Sequence, residues 1–467
     1  MRASEILFAL SLAGCSLTAS HADPCESTAE CRAAFGLGSA CGDDGFCQPV
    51  GVHPRCERAF PANLLSEGPL YRGAFVIGAI ADESVETHRA RQNAVQLALS
   101  EARDQGGIDG QLVGVVFCTN EVDPSIDDLD QRGATEAVTR YLVEELAVTA
   151  IVGPPSSDAT SAAFAIAAPL DALVISPSAT SPALTALEPA ATDAMPGLLW
   201  RTVPPDSLQG RVIAGDLDMR GVSRVALILQ DSSYGNGLAD VIEEYYGGAV
   251  ERFPFSTPSG RNSAATSAGS GDFEEVVFIS SQTSDASAFL LFAESFAGFA
   301  DKQLFLTDSA KNLDLLTDAR AAAAVFPRVR GSAPAPLAGV AYDAFLASYR
   351  AEFGEDARSF SFAANAHDAA WLTLLGASWA GLQEPDLGGR SLARGLRHLS
   401  GGVPVTLGAD VLTTARDRFR LGEAIDIEGV SGALDYDPVL EETSAPVEIW
   451  TIDAGATGFV SEYEVTP

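Results

Sequence analysis

The chain has 467 residues, enough for two or three domains with sizeable cores. Hydrophobic residues make up 47% of it, which excludes a disordered polymer. With 63 acidic against 29 basic residues the net charge is −34, so nucleic acid, whose phosphates require basic patches, is excluded as a partner.

The first residues, MRASEILFALSLAGC, carry one Arg and a short apolar run over 6–13, too short to span a bilayer. This pattern predicts a signal peptide over 1–14. Leu12-Ala13-Gly14-Cys15 resembles the bacterial lipobox, which implies cleavage before Cys15, lipid attachment to its sulfur and an extracytoplasmic, membrane-anchored protein. No later stretch approaches roughly 18 unbroken apolar residues. Residues 15–57 are then expected to form a lipid-anchored, Cys-rich segment, with Cys25, Cys31, Cys41 and Cys47. Their spacings lack the C-x2-C pairs of a zinc site, so no metal is expected, and an exported protein meets an oxidising compartment. Two disulfides are expected there, with all three pairings open. Cys56, before the first strand, and Cys118, after the second, are placed for a third bridge. A catalytic thiol at Cys118 is the alternative, though no His partner is evident nearby.

Residues 73–80 (GAFVIGAI) read as the first buried strand. A helix follows over 86–104, with small or apolar residues at Ala90, Ala94, Leu97 and Ala98 on one face, and stops at Gly106-Gly107. Strand 112–117, helix 130–145 and strand 147–152 continue the alternation, which predicts a doubly wound parallel sheet. Two strand-to-helix turns come next, at 153–158 (GPPSSD) and 177–182 (PSATSP), on either side of strand 173–176. Each offers hydroxyls and helix-start amides at the carboxyl edge of the sheet, where ligands bind in such folds, and suits an anion. The plainer alternative makes Ser157 and Ser181 helix N-caps. No basic residue lies between Val148 and Leu184, which favours a single carboxylate over a phosphate.

A strand at 198–203 and a helix at 207–220 lead into a second series: strand 225–230, the turn DSSYGNG, helix 238–246 and strand 250–255. Residues 256–272, poor in large apolar side chains, read as a flexible loop. Strand 276–280, helix 286–299 and strand 304–307 follow, and 328–336 (RVRGSAPAP) reads as a linker. Helices over 339–353, 361–379 and 391–400 and a strand at 447–452 finish the chain.

In this order the segments VTAIVGPPSSDAT, VISPSATSPALT, WRTVPPDSLQG, VALILQDSSYGNGLAD, LFLTDSA, FAANAHDAAWLTLLGASW and GVSGALDYD resemble the type 1 periplasmic binding proteins, in the leucine/isoleucine/valine-binding-like branch serving ABC transporters. The resemblance covers about residues 72 to 452. It implies an α/β fold of two Rossmann-like, doubly wound lobes joined by three crossovers, with the small disulfide module in front. One lobe is expected over 72–203 and 329–433, the other over 204–328 and 434–467.

The resemblance also implies ligand contacts. Ser156 or Ser157, Ser178 and Thr180 would hold a ligand carboxylate, Tyr234 would cover the ligand from the opposite lobe, and Asp308 would stand near the group that pairs with an ammonium. Neutral donors at helix starts suit a carboxylate, whereas an ammonium needs an acid. Two positions depart from the family: Ser281-Gln282 stand where a Tyr is common, and Tyr-Asp-Ala has become His367-Asp368-Ala369. The expected function is capture of a small polar, amino-acid-like ligand for an ABC permease, with a ligand-sensing receptor lacking transport as the alternative. A hydrolase is the remote third reading. No Gly-x-Ser-x-Gly elbow, Walker loop, Gly-x-Gly-x-x-Gly or His-Glu-x-x-His occurs, so no catalytic residue and no cofactor is expected.

Overall fold

The computed structural model describes residues 24–335 and 337–466, so the expected signal peptide and Cys15 lie outside the described residues. The chain opens with helix α1 (Thr28–Phe35) and a hairpin of β1 (Ser39–Cys41) and β2 (Cys47–Pro49). Disulfides Cys25–Cys41 and Cys31–Cys47 staple this module. The sulfurs of Cys25, Cys31 and Cys47 cluster within 4.8 Å because the two bridges are neighbours. Arg32 leaves the module: its guanidinium donates to the carbonyls of Ala74, Leu146 and Ala147 at 2.8, 3.2 and 2.7 Å.

The first sheet holds β3 (Arg58–Phe60), β4 (Phe75–Ala81), β5 (Val113–Thr119), β6 (Ala150–Val152), β7 (Leu173–Ser176) and β8 (Leu199–Arg201), in the order β3-β5-β4-β6-β7-β8. Only β3 runs antiparallel. All seven residues of β4 and of β5 are buried, as a parallel strand covered on both faces requires. Cys118 lies inside β5 and is bridged to Cys56, so the thiol alternative fails: its sulfur is already consumed. Helices α2 (Glu86–Asp104), α3 (Gln131–Arg140) and α4 (Ser157–Ala167) connect these strands.

The second sheet holds β9 (Arg224–Gln230), β10 (Ala249–Phe255), β11 (Glu275–Ile279), β12 (Gln303–Leu306) and β13 (Val329–Pro334), with helices α5 (Asp206–Met219), α6 (Ser233–Tyr245), α7 (Pro258–Ser270), α8 (Thr283–Ser295) and α9 (Leu313–Asp318). The chain then returns to the first lobe as α10 (Val340–Phe353), α11 (Ala363–Gln383), α12 (Gly389–Leu396), β14 (Val403–Thr406), α13 (Val411–Arg420), β15 (Ile425–Gly429) and β16 (Gly432–Ala433). It ends in the second sheet as β17 (Val447–Ile452) and β18 (Phe459–Val465), giving the order β10-β9-β11-β12-β13-β17-β18. Two doubly wound lobes joined by three crossings are therefore present.

Three expectations are corrected. The linker expected at 328–336 is mostly β13, paired with β12 and β17, so the second crossing follows it and lobe two extends past 329. Its small residues serve close contact: a Cβ on Gly331 would come within 2.1 Å of the Trp450 ring. Residues after 433 stay on lobe one for a further turn, with Tyr436 against Trp200 at 4.7 Å between centroids, so the third crossing also comes later than expected. The loop expected at 256–272 contains α7, capped by Thr257, which accepts from the Gly260 amide at 3.1 Å. Its Ala264, Ala265 and Ala268 are buried in the second core, where small side chains let the helix lie close to a cluster of phenylalanines.

Candidate functional site

The cleft between the lobes lies at the carboxyl ends of both sheets. One wall is built by the turns after β6 and β7. Ser156 is the N-cap of α4 and accepts from the Ala159 amide at 3.3 Å. Ser157 Oγ accepts from the Ser181 amide at 3.3 Å, tying one turn to the other. Ser178 Oγ donates to the Pro155 carbonyl at 2.8 Å and accepts from Arg91 Nη1 at 2.9 Å. Thr180 is buried and its carbonyl accepts from the Asp206 amide at 2.8 Å.

The other wall follows β9, β11 and β12. Tyr234, in the first turn of α6, is buried and donates its hydroxyl to Asp308 Oδ1 at 2.6 Å. Ser281, Gln282 and Thr283 come from the turn after β11, and Asp308 from the turn after β12. The walls touch: Ser181 Oγ donates to the Ser233 carbonyl at 2.8 Å, and the Ser233 amide donates to Asp158 at 3.2 Å. The enclosed space is about 200 Å³, and Ser156, Ser157, Ser178, Thr180, Tyr234 and Asp308 all line it.

Three further residues shape this site and were missed in the sequence. Arg91 sits beside Ala90 on α2 and is only 9% exposed; its Nε donates to the Ser361 carbonyl at 2.9 Å. Burial lowers its pKa to about 9, with the Asp308 charge opposing, so it remains cationic at neutral pH. It supplies the positive charge that the stretch 148–184 lacks. His88, one turn earlier, is held neutral: burial, reinforced by Arg91, lowers its pKa to about 3. Asp206 starts α5 inside WRTVPPDSLQG and is 1% exposed, with neither carboxylate oxygen hydrogen-bonded among the described residues. Burial and the Asp308 charge push its pKa well above the usual carboxylate range, against weaker pulls from Thr180 and Arg201. Burial likewise raises Asp308, against its bonds from Tyr234 and Gln209. Arg91 and Arg201 each act on one of these acids; Asp206 is buried beside Thr180, and Asp308 is the acid that lines the cleft and can meet a positive group there.

Phe362, which precedes α11, has φ of +61°, a left-handed conformation that costs a bulky residue about 1–3 kcal/mol. His367 lies away from the cleft, fully inside lobe one, 2.8 Å from Glu101 and 3.6 Å from Asp368. Burial opposes its charge, but the two carboxylates win and raise its pKa to about 9.

A family model described as "Receptor family ligand binding region" matches residues 90–373, more than half of the chain. The chain belongs to this family, the type 1 periplasmic binding proteins. Among relatives, the chemotactic signal transduction system substrate-binding protein BasB of Halobacterium salinarum is 28% identical over 370 residues, covering 78% of this chain and 82% of BasB. LivJ of Streptococcus pneumoniae, a branched-chain amino acid transporter substrate binding protein solved with isoleucine, superposes with a TM-score of 0.62 at 24% identity, covering 84% of this chain and 100% of LivJ. A solute binding protein of an ABC transporter from Rhodopseudomonas palustris, solved with 3,4-dihydroxybenzoic acid, gives 0.64 at 17% identity, covering 84% of this chain and 98% of that one. These structures share the fold of the type 1 periplasmic binding protein described here. Among the described residues no helix is long and apolar enough to cross a membrane.

Proposed function

We propose that this type 1 periplasmic binding protein is an extracytoplasmic solute-binding protein that captures an amino acid or a closely related carboxylate, without chemistry, between its lobes. The observation that carries the reading is the polarity of the cleft. Hydroxyls and helix-start amides at Ser156, Ser157, Ser178 and Thr180 line one side, and Tyr234 with the buried acid Asp308 lines the other. A zwitterion fits that division: its carboxylate meets neutral donors near Arg91, and its ammonium meets Asp308. Closure of the lobes would desolvate both ends.

Delivery to an ABC permease is the primary reading, with Cys15 carrying the lipid that anchors the protein to a membrane. Similarity to BasB, named for a chemotactic signal transduction system, supports a second reading, in which the loaded protein reports to a receptor. Calorimetric titration with the twenty amino acids and with small carboxylates tests the core of the proposal. Binding by zwitterions at micromolar levels, lost in Thr180→Ala, is expected; a protein that binds none of them below about millimolar defeats it. Radiolabelled palmitate incorporated into the wild type and not into Cys15→Ser tests the anchor.

A further inference from the structure

The space between the lobes does not end at the polar cleft. A second chamber of about 530 Å³ opens on the hinge side, and all three crossings contribute to its wall, through Pro204, Pro334 and Pro446. It meets the polar cleft at three shared residues, Asp308, Ser361 and Phe362. Much of its surface is apolar, from Val203, Ala333, Tyr342, Phe345, Phe360 and Ala364. The cations that border it are already partnered: Lys311 with Glu448, and Arg358 with Asp356.

Phe362, the residue in the left-handed conformation, stands where the two chambers meet. Strained backbone of this kind persists where the surroundings over-determine it, and it concentrates at ligand clamps. Here the restraint is Arg91. Its guanidinium donates to the carbonyl and the hydroxyl of Ser361 at 2.9 and 3.2 Å and lies 5.2 Å from the centroid of the Phe362 ring. The residue that lines the polar cleft thus also fixes the door out of it.

We propose that the hinge-side chamber receives the distal part of the ligand past Phe362, and that the ligand is an amino acid with a long apolar side chain ending in bulk, such as an aryl group. This rests on the amino-acid reading above. The polar cleft alone, at about 200 Å³, is smaller than the roughly 300–1,000 Å³ of typical small-molecule sites, and the two chambers together fall within that range. The apolar wall of the polar cleft is limited to Val85, Pro155 and the rings of Tyr234 and Phe362 among a polar majority, so a long apolar side chain gains little there. Past Phe362 it is buried against aromatic and aliphatic carbon.

The test titrates L-alanine, L-leucine and L-2-amino-4-phenylbutanoate by calorimetry into the wild type, Tyr342→Ala and Ala364→Phe. In the wild type, affinity is expected to rise along the series by about 100-fold, and Tyr342→Ala should weaken the aryl compound about tenfold while leaving alanine unchanged. Ala364→Phe should block the aryl compound and spare alanine; if it does not fold, Tyr342→Ala, at a half-buried position, decides the matter. Equal affinities along the series, or a Tyr342→Ala loss shared by alanine, overturns the chamber assignment and leaves the head-group reading standing. No binding of any of the three by folded wild type overturns both.

Discussion

Asp308→Asn separates the two roles of the buried acids. The amide keeps an oxygen for the Tyr234 hydroxyl, which now donates to Asp308 Oδ1 at 2.6 Å, and removes only the charge. In the free protein the change relieves repulsion between Asp308 and Asp206, whose pKa stands well above normal through burial and the Asp308 charge. Relief of that repulsion is offset in part by the lost attraction between Asp308 and Arg91, so the net change in stability is expected to stay within about 1 kcal/mol. Against an ammonium ligand the sign reverses. Losing one partner of a buried, hydrogen-bonded charge pair costs about 2–4 kcal/mol, or roughly 30- to 1,000-fold in Kd. Thermal unfolding of the ligand-free variant and calorimetric titration of the same sample read the two effects. A variant that binds within threefold of the wild type would refute the assignment of Asp308 to the ammonium. The Asp206 pKa should fall in the variant, read by NMR titration; an unchanged value would refute the claim that the acids repel.

Three other outcomes follow from the same physics. Since burial raises Asp308, an ammonium that stabilises its ionised form should displace a proton. Affinity should therefore rise as pH increases above about 4, with net proton release seen by titration in buffers of different ionisation enthalpy; a flat profile from about pH 4 to 7 argues against it. His367 has a folded pKa of about 9 against about 6.5 unfolded, so its contribution is complete below about 6.5 and is lost as pH rises through about 9. The loss should amount to about 3 kcal/mol or slightly more by chemical denaturation, and His367→Gln should flatten that part of the curve. The Cys56–Cys118 bridge closes a span of 62 residues, so replacing both by Ala should cost about 4 kcal/mol on the chain-entropy scale, with ligand affinity preserved in the folded fraction.

Much of this molecule could be read from local pattern. Buried parallel strands announce themselves as short apolar runs, and the turns that follow them line the cleft. The resemblance to the family added Ser156, Ser157, Ser178, Thr180, Tyr234 and Asp308, and all six line the cleft, on its two walls. What stayed hidden depends on contacts distant in sequence. Arg91 lies next to an Ala on a face read as apolar, and only its bonds to Ser178 and Ser361, 87 and 270 residues away, reveal it. Asp206 looks like any acid at a helix start until Asp308 is set against it. His367 finds Glu101 across 266 residues. The small residues of α7 and β13 resembled loop and linker because smallness is also what close approach to phenylalanine or tryptophan demands, and composition does not separate the two.

The three carbonyls held by Arg32 stand just ahead of β4 and β6, at the amino ends of the parallel strands, while the cleft lies at their carboxyl ends. The cysteine-stapled knob is thus riveted to the rear of the first lobe. A molecule tethered through its amino end would have one stationary jaw and one swinging jaw, with the mouth turned away from the tether. Any receiving protein would then meet the outer rim of both jaws, and the knob would act as a stiff standoff, setting the height at which that encounter takes place.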